Sequence, residues 1–171
     1  MHNHDEMEVV RRFSESGPVD ILGLIHALGI RYEERPMHSG ASGEIVFDGE
    51  DFIIAVNEAE IAPRKRFTAA HELAHYLLHR DLLEQKGRLN RHSDVLFGDA
   101  AAYNPPAPFS PTHEVQANRY AAELLMPASR IRKLWKGEDV DNVEEIASAL
   151  GVSKKAVKIR LKTLNLRSTS D

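Results

Sequence analysis

A chain of 171 residues, 42% hydrophobic and 28% charged, has the size and balance of one water-soluble domain with a small appendage. It contains no cysteine, which excludes a disulfide framework, cysteine-ligated zinc and iron–sulfur clusters, so any metal must be held by His, Asp or Glu. The formal charge of −4 divides unevenly: residues 1–128 carry 12 Lys and Arg against 20 Asp and Glu, and residues 129–171 carry 10 against 6.

Residues 1–17 read as an N-terminal extension, followed by a body over 18–128 and a helical tail over 129–171. The spacing of Ile21, Leu22, Ile25 and Leu28 after Pro18 predicts a helix over 18–28, stopped by Gly29. Alternation around Ile30 and Tyr32 suggests a short strand. Two β-rich runs, 44–47 and 52–56, flank Asp48-Gly49-Glu50-Asp51, a hairpin signal. The second run is apolar enough to lie on the core, and an extended substrate could add to it as a further strand. Pro63 opens a helix to about residue 79. Residues 104–111 hold four of the eight prolines and read as a loop. Ser110 caps and Pro111 starts a helix running to about Leu125, ended by Pro127. The tail reads as helices over 143–150 and 154–164, joined by Gly151-Val152-Ser153. No apolar run approaches the ~18 residues of a membrane span. Residues 1–12 lack a signal-like apolar core, so the expected location is the cytoplasm. The class is α+β, mainly helical with a small sheet.

The most informative stretch is His71-Glu72-Leu73-Ala74-His75. On a helix the two histidines lie one turn apart on one face, so both imidazoles can reach a single cation at ~2.1 Å. Glu72 is offset by one residue, which lets it hold a water and act as general base without ligating the metal. Nine histidines make an accidental match conceivable, so context must carry the reading. The histidines share a stripe with Phe67, Ala70, Ala74 and Leu78, which predicts that they are buried. Buried imidazoles beside a carboxylate are costly unless something satisfies them, and a divalent cation does so.

A hydrolytic zinc site needs a third protein ligand. His79 lies one turn further along the same helix, too far to join. Leu78 and Asp81 stand where a three-histidine motif would carry Gly and His, which excludes that arrangement. His113, Glu114 and Glu123 remain, all on the next helix. At about 100° per residue, Glu114 shares a stripe with Ala117, Ala121 and Leu125, whereas Glu123 falls roughly opposite and His113 lies off the stripe. Glu114 is therefore the expected third ligand. Two histidines and one carboxylate can also hold non-haem iron, but a glutamate inside the histidine pair favours hydrolysis.

These blocks resemble the ImmA/IrrE metallopeptidases. Val56-Asn57 followed by Arg66-Phe67-Thr68-Ala69-Ala70-His71-Glu72-Leu73-Ala74-His75 is similar to that family's strand and metal helix. The run from His113 and Glu114 through Ala117-Asn118, Tyr120-Ala121-Ala122 and Leu124-Leu125-Met126-Pro127 is similar to its third-ligand block. Gly151-Val152-Ser153 and Arg160-Leu161 resemble its terminal helices. The resemblance implies a zincin-like domain with zinc on His71, His75 and Glu114, and Glu72 as the catalytic glutamate. It also implies cleavage of a helix-turn-helix repressor of the Xre type, which would relieve transcriptional repression of mobile-element or stress genes.

The tail itself resembles a helix-turn-helix, through Ile146, Ala147, Leu150, Gly151, Val152 and Val157. Its second helix carries Lys154, Lys155, Lys158, Arg160 and Lys162, charge that phosphate contact would require, although Arg160 stands where such motifs commonly place an apolar residue. The other reading of that charge is a solvated face on a subdomain that completes the peptidase. The competing function is a DNA-binding or repressor-sequestering regulator with a structural, non-hydrolytic metal.

Overall fold

The computed structural model describes residues 2–15, 17–38, 40–85, 90–94, 109–137 and 140–166. The chain is α+β: helices α1 (His2–Ser14) and α2 (Ile21–Ala27) precede strands β1 (Arg31–Arg35), β2 (Gly43–Phe47) and β3 (Phe52–Asn57). Then come α3 (Ala62–Gln85), β4 (Asn90–Asp94), α4 (Pro111–Leu125), α5 (Ala128–Leu134), α6 (Val140–Leu150) and α7 (Lys154–Thr163). The four strands form one sheet in the order β1-β3-β2-β4, with β1 parallel to β3 and the other pairs antiparallel.

β2 and β3 form the expected hairpin, with Phe47 opposite Phe52. Four residues connect the strands. Asp48 closes that loop by accepting from the backbone N–H groups of Glu50 at 3.0 Å and Asp51 at 2.8 Å, and Gly49 supplies φ 106°. β3 lies between β1 and β2, so both of its edges are already paired. Strand addition of a substrate to residues 52–56 is therefore excluded: the backbone donors and acceptors it would need are used within the sheet.

α3 is a core helix rather than an amphipathic one. Every residue from 67 to 76 is buried, because the sheet covers one side and α4 another. Gly43, Ile45 and Phe47 of β2 stand in register with Val56, Ile54 and Phe52 of β3, forming the face toward α3. Phe52 meets Tyr76 edge-on at 5.0 Å. Contrary to the stripe drawn from the sequence, Leu78 is 47% exposed. A helix buried nearly all round offers no polar face from which periodicity can be read.

α3 also runs beyond the expected end, to Gln85. Its last turns are held by α1, which lies within the N-terminal extension. Arg80 donates to Glu6 at 2.8 Å, Val10 is buried, and Leu83 is fully buried. Within α1, Glu8 pairs with Arg11 and Arg12 at helical spacing, the local support a short polar helix needs.

The tail docks through two arginines. Arg66 on α3 donates to the carbonyls of Val19 at 2.6 Å and Leu150 at 3.2 Å, joining α2's approach, the core helix and α6. Arg160 of α7 is 5% exposed; it donates to the Met126 carbonyl at 3.0 Å and pairs with Glu123. Ile146, Ala147, Leu150, Val152 and Val157 are buried around the α6–α7 turn, where Gly151 adopts φ 66°.

Gly43 marks the closest approach of sheet to helix. A Cβ there would fall against Cγ2 of Thr68 and 2.9 Å from the Ala55 carbonyl oxygen. The carbonyl is fixed by the sheet and the Thr68 methyl is held by full burial, so Gly43→Ala is expected to destabilise the protein by about 1–3 kcal/mol, measured as a lower denaturant midpoint.

Candidate metal centre

Two rows of side chains, one residue out of phase, give α3 its two roles. Thr68, Glu72 and Tyr76 form the row toward the sheet, with the side chain of Glu72 beside Gly43. His71, His75 and His79 form the row toward α4. A step of one residue is about 100°, so a single HExxH sequence presents imidazoles to one neighbour and a carboxylate to another.

α4 runs antiparallel to α3 and is built to approach it closely. Ser110 caps it by accepting from the His113 N–H at 3.3 Å, while the His113 ring nitrogen Nδ1 accepts from the Ser110 N–H at 3.0 Å. Glu114, Ala117, Ala121 and Leu125 are all buried along the inner face, and the two alanines keep the helices close.

Across this contact three potential ligands converge. His71 Nε2 lies 3.1 Å from Glu114 Oε2, His75 Nε2 lies 3.3 Å from Glu114 Oε1, and the two Nε2 atoms are 3.1 Å apart. One ligand atom from each residue falls within 4.8 Å of the others, and the three residues are 0%, 0% and 5% exposed. The donor set fits a divalent cation. Asn118 Oδ1 stands 2.8 Å from His71 Nδ1 and takes that proton, leaving His71 Nε2 with a bare electron pair facing a carboxylate. Such donors repel at these distances unless a positive charge lies among them. Glu72, the residue after His71 in the chain, is fully buried, with both oxygens shielded from solvent.

The other candidates fall elsewhere. His113 is occupied in the helix cap, and Glu123 points to Arg160. His79 stands behind His75, with the two Nδ1 atoms 3.1 Å apart and its own Nε2 2.7 Å from Gln116 Oε1. Burial is the main influence on the His79 imidazole and lowers its pKa, so it is neutral near pH 7. Four contacts escaped the sequence reading: His79 as a neighbour of His75, Asn118, Gln116, and Phe109, whose ring stacks on His75 at 4.0 Å and 13°. Asn118 was legible in principle, since it lies one turn after Glu114 on the same face. Phe109 carried no local signal.

Lys154, Lys155, Lys158 and Lys162 are exposed on α7, but Arg160 is not part of that basic face. Its guanidinium is a tail anchor. No helix among the described residues is long and apolar enough to cross a membrane.

None of the curated proteins compared matches the chain. The model of the family described as IrrE N-terminal-like domain (Peptidase_M78) matches residues 25–162, from α2 through α3 and α4 and into α7. That match spans most of the chain, including every residue of the converging group, and so the protein belongs to the IrrE N-terminal-like family of peptidases.

Proposed function

We propose that this protein is a zinc-dependent endopeptidase whose substrate is a helix-turn-helix repressor of the Xre type. The observation that carries the reading is the buried convergence of His71, His75 and Glu114 beside Glu72. In this reading residues 18–128 are the catalytic unit and residues 129–171 a helical subdomain docked on it.

His71, His75 and Glu114 would hold the zinc, which supplies Lewis acidity toward a peptide carbonyl and toward water. Asn118 orients the His71 ring by accepting its Nδ1 proton. The Glu72 carboxylate takes a proton from the attacking water and passes it to the departing amide nitrogen. Its placement toward the sheet keeps it from competing with the ligands on the α4 side.

An extended substrate needs a strand edge, and β3 has none. Among the described residues β4 is the outer strand next to β2, and Asp94 at its end stands opposite Gly43, the glycine that abuts Glu72. A chain paired to β4 would thus run toward the catalytic carboxylate. Pairing of this kind demands a locally unfolded target, so a folded repressor should be cut slowly and at an exposed hinge.

The test is co-expression with an Xre-type helix-turn-helix repressor from the same genome, following its mass with wild type and Glu72→Gln. A shorter repressor with wild type alone is expected. An intact repressor in both, with operator DNA bound by this protein alone, would favour the regulator with a structural metal.

A further inference from the structure

Three imidazoles follow one another along α3, but only His71 and His75 face the Glu114 carboxylate. The third, His79, is 7% exposed and sits on the far side of the His75 ring. A neutral imidazole has one proton, and only the tautomer protonated on Nδ1 leaves Nε2 free to donate its electron pair to a cation. For His71 that tautomer is set by Asn118. His75 Nδ1 instead faces another imidazole nitrogen, His79 Nδ1 at 3.1 Å, which can either donate or accept.

Gln116 resolves this ambiguity. Its Oε1 accepts, so the proton of His79 resides on Nε2, 2.7 Å away. His79 Nδ1 is then an acceptor, and the proton between the two rings belongs to His75 Nδ1. Phe109 stacks flat on the His75 ring and offers no polar atom, and His113 Nδ1 is engaged by the Ser110 N–H.

We propose that His79 and Gln116 are positioning residues, a two-step relay that fixes the proton of His75 on Nδ1 and so aims Nε2 at the metal. The inference rests on the metal-centre reading above. α4 thereby acts on both histidines of the motif: Glu114 from the inside, Asn118 and Gln116 from the outside. Loss of such outer partners typically weakens metal binding without removing a ligand.

The experiment measures zinc affinity of the full chain by competition with a chromophoric chelator, with thermal melting as a check on folding. His79→Phe retains a ring of similar size without nitrogen and should bind zinc ~10–100-fold more weakly. His79→Asn, whose Oδ1 stands near the former Nδ1 position, should recover most of that loss. Gln116→Leu alters an exposed position and should weaken binding in the same direction by a smaller factor. If folded His79→Phe and Gln116→Leu bind zinc as tightly as wild type, the relay is wrong. Equal weakness of His79→Asn and His79→Phe would assign His79 to packing and also overturn it. Should His79→Phe not fold, Gln116→Leu decides. Failure of wild type itself to bind one zinc would instead remove the metal-centre reading.

Discussion

Glu72→Gln is expected to retain zinc and to lower peptide cleavage by ~10² or more. The substitution preserves the length of the side chain and a hydrogen-bonding oxygen, so the buried space beside Gly43 stays filled. It removes the one property the mechanism requires, the capacity to accept a proton. Because Glu72 belongs to the sheet-facing row and not the α4-facing row, the three ligand atoms should not move. The check is paired: zinc content by elemental analysis, and turnover of the repressor by mass spectrometry. Full activity in the variant would eliminate Glu72 as general base. Loss of zinc would make it a ligand or a support for one.

Glu114→Ala is expected to reduce bound zinc from one per chain to a small fraction, whereas Glu123→Ala should leave it unchanged. The two glutamates share a helix and differ in direction. Glu114 is 5% exposed, with its oxygens 3.1 Å from His71 and 3.3 Å from His75. The side chain of Glu123 is 58% exposed and pairs with Arg160 of the tail. Removing Glu114 takes away the anionic member of the set and leaves two imidazoles. Removing Glu123 takes a carboxylate from a buried guanidinium, a loss of stability of about 1 kcal/mol given that the acid itself is well solvated. Zinc content with a denaturant midpoint separates the two outcomes, and the reverse pattern would reassign the third ligand.

The amino-acid sequence by itself determined what depends on one helix and its spacing. His71 and His75 share a face because residues four apart nearly repeat in an α-helix, and Glu72 is displaced by the same geometry. Ala117 and Ala121 beside Glu114 marked the face of α4 that comes closest to a neighbour, and the assembled structure brings that face to the histidines. The Asp48-Gly49 turn was legible for the same local reason. Only the tertiary structure decided what lies between elements. The order of the strands put β3 in the interior and left β4 at the edge, a choice no alternation within either strand expresses. Arg160 reads as surface charge until α7 is laid against the end of α4, where a backbone carbonyl and Glu123 receive it. α1 looks like a polar extension until Glu6 meets Arg80 from seventy-odd residues away. Helical spacing is set by backbone hydrogen bonds within a few residues, whereas these contacts depend on which surfaces exclude water together across the whole chain.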